Sequence, residues 1–158
     1  MGFSLVVAIV AWLALACGNA GAATVSPTTA LDNDAAVGSD CTLREAVQSI
    51  NAASDQTGCA HTGTYGTSDT VALVAGTIYT LSVIGPGEDN NATGDLDAFS
   101  DITITGAAAT RPTIQNNADD RVLEAVNDTD MTLKDLIVTG GQVMTGSGGA
   151  QKGGNLNQ

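Results

Sequence analysis

The sequence predicts an all-β chain opened by one amphipathic helix, and three observations predict it. Apolar residues fill 43% of the 158 positions, aromatics only 3%, and there are 19 glycines; such a composition builds its core from Val, Ile, Leu and Ala on short strands with frequent turns. Beyond residue 68, apolar residues recur in brief alternating runs set apart by Gly, Asn, Asp or Pro, which leaves no room for crossover helices and excludes βαβ units. In the mature chain, only residues 42 to 53 show a clear helical period. Two architectures satisfy this pattern: an antiparallel sandwich, and a solenoid whose passes lay strand upon strand.

From Phe3 to Ala16 the chain is almost wholly apolar, and it then meets the small residues Gly18, Asn19, Ala20, Gly21, Ala22 and Ala23. The run falls short of the about 20 residues a membrane span needs, and Ala20-Gly21-Ala22 offers an A-x-A cleavage site before Ala23. Residues 1–22 therefore read as a secretory signal peptide and 23–158 as the mature domain, secreted or held at a bacterial cell surface or outer membrane. No membrane span is expected once the signal is removed. No Lys or Arg precedes the apolar run, and Cys17 follows Leu15-Ala16 in a lipoprotein-like setting. Ala14, three places before that cysteine, stands where lipid attachment calls for a large aliphatic residue.

After a polar lead-in from Ser26 to Asp40, the segment Thr42 to Ala53 puts Leu43, Ala46, Val47 and Ile50 on one helix face. Thr42 and Glu45 have capping-box spacing, in which each side chain serves the other's free backbone N–H. Thr57-Gly58 then breaks the helix. Cys41 and Cys59, the pair left after signal removal, bracket this helix, and an exported chain predicts a disulfide between them. A zinc site lacks ligands, His61 being the only histidine near two cysteines.

The strand-like runs are Val71/Leu73, Ile78 and Leu81, Leu96, Ile102/Ile104, Ile114, Val122 with Glu124, Leu133, and Leu136 with Val138. Turn residues punctuate them at Gly85-Pro86-Gly87, Gly106, Arg111-Pro112, Asn116-Asn117, Asn127-Asp128 and Gly140-Gly141. Asp101-Ile102-Thr103-Ile104 is echoed by Asp130-Met131-Thr132-Leu133, and Thr105-Gly106 by Thr139-Gly140. These quasi-repeats favour the solenoid over the sandwich.

Cys41-Thr42-Leu43-Arg44-Glu45-Ala46, trailed by Asn51-Ala52, resembles the CSLREA motif of a family of secreted bacterial domains, with Thr42 in place of its serine. The likeness continues through Asp69-Thr70-Val71-Ala72-Leu73, Ala75 to Leu81, Gly94-Asp95-Leu96-Asp97, Ile102 to Gly106 and Asp120-Arg121-Val122. It departs at Ala98, where an Ile is usual, and at Leu123, where a Phe is common. The resemblance implies a right-handed parallel β-helix of the pectin-lyase-like or polymorphic outer-membrane-protein type, with Thr42, Leu43, Arg44, Glu45 and Ala46 opening a helix that caps its first coil. Gly153-Gly154-Asn155-Leu156-Asn157 resembles the opening of a further coil, so a few coils, truncated C-terminally, and a continuation of the same β-helix beyond the C-terminus are expected.

The formal charge is −12, from 17 acidic and five scattered basic residues, which excludes the clustered cations that nucleic acid or anionic lipid surfaces require. Asp89-Asn90-Asn91-Ala92-Thr93-Gly94-Asp95-Leu96-Asp97 places oxygen side chains at alternate positions as an EF-hand loop does, giving Asp89, Asn91, Thr93, Asp95 and Asp97 as calcium candidates. Ser100 stands where the bidentate glutamate should be, so the run reads first as a turn between coils. No cofactor other than calcium is suggested. Arg111 and Arg121 are the available bases for lyase-like chemistry; Arg111-Pro112 reads as a turn, and Arg121 is expected to pair with Asp119, Asp120 or Glu124. Acidic pairs such as Asp95/Asp97 are too common here to mark a glycosidase, and His61 reads as an exposed loop residue. The expected function is a noncatalytic secreted or cell-surface scaffold that engages an extracellular glycan or surface protein; the alternative is the N-terminal fragment of a carbohydrate-active β-helix enzyme.

Overall fold

The fold was analysed on a computed structural model, which describes residues 21–32, 39–142 and 156–157. Most of the signal peptide, Cys17 and residues 143–155 lie outside the described residues. Strands β1 (Thr24–Val25) and β2 (His61–Thr62) precede three passes of chain: β3 (Asp69–Ala72), β4 (Ile78–Leu81) and β5 (Leu96–Ala98); β6 (Ile102–Thr105), β7 (Thr113–Asn116) and β8 (Leu123–Ala125); then β9 (Met131–Lys134) and β10 (Ile137–Thr139). A last short strand, β11 (Leu156–Asn157), pairs with β9.

The strands of the described residues sort into three sheets; the first two take one strand from each of the three passes, and the third takes one from each of the first two. The first runs β11-β9-β6-β3-β1-β2, the second β10-β7-β4, the third β5-β8. Every pairing among β3 to β11 is parallel. Among the described residues the single antiparallel pairing is β1 with β2, while β1 also runs parallel to β3. Parallel neighbours joined without helices need intervening chain of another kind, and here that chain is the pair of strands belonging to the other two sheets.

Register follows from the period of two. Val25, Val71, Ile104 and Leu133 stand opposite one another across β1, β3, β6 and β9, and the first three are fully buried. Tyr79 pairs with Ile114, which pairs with Val138; Leu96 pairs with Leu123 and Ala98 with Ala125. The Ile102/Met131 repeat seen in the sequence is a true register. The second quasi-repeat is not: Thr105 pairs with Lys134, and Thr139 with Gln115 on another sheet. Thr-Gly marks a strand end in both places, on different faces of the molecule. Ile78 and Leu81 cannot both face inward, being three residues apart on a strand; Tyr79 and Leu81 are buried and Ile78 is 58% exposed.

Helix α1 (Leu43–Ala52) carries the predicted capping box, with Thr42 as N-cap accepting from the Glu45 N–H and Glu45 accepting from the Thr42 N–H. It ends before the Thr57-Gly58 breaker, because Ala53 enters the left-handed region at φ 48° and turns its N–H back to Ile50 and Ser49. Leu43, Ala46, Val47 and Ile50 are buried in the same cluster as Val71, Leu96 and Ile104. Cys41 and Cys59 form the predicted disulfide, with Cα atoms 4.6 Å apart. Gly58 (φ +81°) is needed there, since a Cβ would collide with the Asp40 backbone.

The polar side of α1 meets the free edge of β5. Asn51 donates to the Asp97 carbonyl and accepts from the Phe99 N–H. Arg44, 1% exposed, donates to the carbonyls of Thr93, Gly94 and Asp95 while its fork grips the Asp32 carboxylate. Backbone groups that an adjacent strand would satisfy are met instead by helix side chains.

Candidate functional site

The loop from Gly85 to Asp95 and the two strands of the third sheet bring the buried carboxylates Asp95 and Asp97 together with Asp120 and Glu124 around Arg121. Glu88 shapes the loop by accepting from the backbone N–H groups of Asn90, Ala92 and Thr93. Asn91 sits at φ 58° and is fully buried. Its backbone N–H donates to Asp97 Oδ2, its side-chain oxygen accepts from the Asp97 N–H, and its amide nitrogen donates to the Arg44 carbonyl. Thr93 donates its hydroxyl to the Gly85 carbonyl. Gly94 (φ +63°) is needed for close approach, because a Cβ there would meet the Asp120 carboxylate.

The alternating ligand set predicted for this loop does not form. Asn91 and Thr93 spend their polar atoms on backbone groups, and Asp95 turns to Arg121, whose Nε lies 3.0 Å from Asp95 Oδ2. Asp89 and Asp97 do come together, and the third carboxylate is Glu124: one oxygen from each lies within 4.8 Å of the other two. Glu124 comes from β8, where it stands directly opposite Asp97 in the parallel ladder. The sequence carries a trace of this in Leu96-Asp97-Ala98 repeated as Leu123-Glu124-Ala125, an apolar-acid-Ala pattern recurring one pass later.

Arg121 bridges the cluster. It lies 2.6 Å from Glu124, 3.0 Å from Asp95, 3.6 Å from Asp120 and 3.9 Å from Asp89. The expected partners Asp120 and Glu124 are therefore found; Asp119 is not among its ion pairs, and Asp95 and Asp89 are added. Neither oxygen of Asp95 nor Asp97 Oδ1 receives a hydrogen bond, although both residues are fully buried. The Arg121 guanidinium is close enough to attract Asp95 but poorly aligned to donate. Burial pushes the Asp97 carboxyl up to about 7, offset in part by the Asn91 N–H and reinforced by Asp95, Glu88 and Glu124. Burial likewise raises Asp95 to about 6 against the pull of Arg121.

Two other groups of side chains stand apart from this one. His61, on β2 rather than in a loop, is exposed and places Nδ1 2.7 Å from the Asp55 carboxylate; Tyr65 donates to the same oxygen and its ring lies 4.4 Å from the imidazole. These hydrogen bonds from Tyr65 and His61 hold Asp55 below the usual carboxylate range. Arg111 borders an open cleft of about 400 Å³ with Leu133, Lys134, Asp135, Leu136 and Val138, over β9 and β10.

No protein-family model, curated protein or solved structure matches this chain.

Proposed function

We propose that this chain is a noncatalytic secreted or cell-surface scaffold, the opening of a right-handed parallel β-helix of CSLREA type that displays its long sides to an extracellular glycan or surface protein. The observation that carries the reading is topological. Successive passes of about 30 residues, the spacing of stacked-repeat architectures, feed the same parallel ladders, two of them in all three passes and the β5–β8 ladder in the first two, and aliphatic side chains align along the first ladder from β1 to β9. The right-handed sense is that of nearly all parallel crossovers within a sheet. Helix α1 serves as the lid, its Arg44 and Asn51 meeting the margin of β5. Export is supported by the signal-like N-terminus and by the Cys41–Cys59 bridge. Among the described residues no helix is long and apolar enough to cross a membrane.

A glycoside-hydrolase role would need accessible acid and base groups, and the acidic pair Asp95 and Asp97 is 0% exposed; Arg121, one of the two bases open to a lyase, is held by Glu124, Asp95, Asp120 and Asp89. The test is to incubate the purified chain with pectin, polygalacturonate and a panel of extracellular glycans. Retention on one or more glycans without release of new chain ends is expected; turnover of any of them would replace the scaffold with the enzyme-fragment reading.

A further inference from the structure

Side-by-side like charges in a ladder are destabilising, yet Asp97 and Glu124 are direct neighbours on β5 and β8 with Asp89 closing over them. The one guanidinium present, Arg121, is already shared among Asp89, Asp95, Asp120 and Glu124. It makes no ion pair with Asp97, whose Oδ1 is fully buried and without a donor while Oδ2 is held by the Asn91 N–H. Buried carboxylate oxygens are nearly always satisfied, so Asp97 Oδ1 is an oxygen donor with its lone pairs uncommitted.

We propose that Asp89, Asp97 and Glu124 bind a calcium ion that ties the loop before β5 to the following pass of chain at β8. Calcium takes oxygen ligands at about 2.3–2.6 Å, so oxygens on opposite sides of one ion stand about 4.6–5.2 Å apart; the three carboxylates, all within 4.8 Å of one another, fit a single coordination sphere. The donor set is all oxygen, which disfavours zinc and other metals that seek nitrogen or sulfur. The ligands come from a loop and two strands, a spread that suits calcium's tolerant geometry better than the compact octahedron magnesium requires. Asp89 is exposed and leaves the outer side open to water ligands. The site differs from an EF-hand in kind: its third ligand comes from stacking of one pass on another, not from twelve consecutive residues.

This inference stands apart from the scaffold reading, since a calcium site neither requires nor excludes glycan binding. The experiment is calorimetric titration of the purified chain, freed of metal by chelation, with calcium chloride, paired with thermal melts at 10 mM calcium or magnesium. Saturable binding at one site in the range of extracellular modules, about 0.1–1 mM, is expected, with calcium raising the melting temperature by about 5 °C or more and magnesium by less. Asp89→Asn, at an exposed position that leaves the fold intact, and Glu124→Gln each weaken calcium binding at least tenfold. Absence of both heat and melting shift at 10 mM calcium would overturn the assignment and leave Arg121 as the cluster's only cation. So would equal shifts with both ions, or unchanged affinity in both variants.

Discussion

Arg44 is the side chain on which the start of the fold turns. Its charge is buried, its fork is matched by Asp32, and its remaining donors meet three carbonyls of the Gly85–Asp95 loop. Removing one partner of such a pair strands the other, a loss of about 3–5 kcal/mol. Arg44→Met is therefore expected to lower unfolding free energy by about that amount in urea titrations, and Asp32→Asn by less, because the asparagine still accepts from Arg44. Sequence reading reached the neighbours of Arg44 but not its role. Thr42 and Glu45 announce themselves because a capping box is local, three residues apart. The carbonyl partners of Arg44 lie some 50 positions away and its carboxylate partner Asp32 lies 12 away, and no local pattern encodes them. The same holds for Asn91: its spacing within the loop suggests a ligand, while its hydrogen-bond partners Asp97 and Arg44 come from the strand that follows and the helix that precedes it.

At the scale of elements, the disulfide beside α1 and the carboxylates of the β5–β8 pair lead to distinct predictions, although α1 and β5 are bonded to each other. The bridge closes a loop of 18 residues, worth about 3 kcal/mol through restriction of the unfolded chain. Cys41→Ala/Cys59→Ala should thus lower stability by about 3 kcal/mol without altering calcium affinity, measured by denaturant titration and calorimetry on the same sample. The β5–β8 pair predicts a pH effect in calcium-free protein. Asp95 and Asp97 have folded pKa values near 6 and 7, above the ordinary 3.8, so the folded state binds more protons than the unfolded state between about pH 4 and pH 7. Stability from these groups is present at the acidic end and is lost as pH rises through that window. The melting temperature under chelation is expected to fall from pH 5 to pH 7.5, and Asp97→Asn to flatten the fall. Asp95, Glu88 and Glu124 face this carboxyl and add to the effect of its burial, and an unchanged slope in the variant would assign the fall to Asp95.

Over the whole molecule, the alternation of apolar residues marks the strands from β3 to β10 but not how each is turned. The runs at Ile102/Ile104 and Ile114 were legible because both neighbours of each apolar residue are polar. Ile78-Tyr79-Thr80-Leu81 offered two inward registers, and only its pairing with β7 selects Tyr79 and Leu81. Strands β1 and β2 were invisible, since two residues carry no period. The aligned column makes a contrast that can be measured: Ile104→Ala, at its centre, is expected to cost about 2–5 kcal/mol, whereas Ile78→Thr, on the outer face of β4, should stay within about 0.5 kcal/mol. Similar losses at both positions in denaturant titrations would mean that the two faces are not distinct.

The grip of α1 on β5 has a further consequence for how copies of the chain meet at high concentration. A strand margin with unclaimed amides is a template for sheet-to-sheet polymerisation, and here Asn51 and Arg44 occupy the very groups an incoming strand would seek. At this margin, then, the molecule is guarded against fibre growth by two side chains of its own helix.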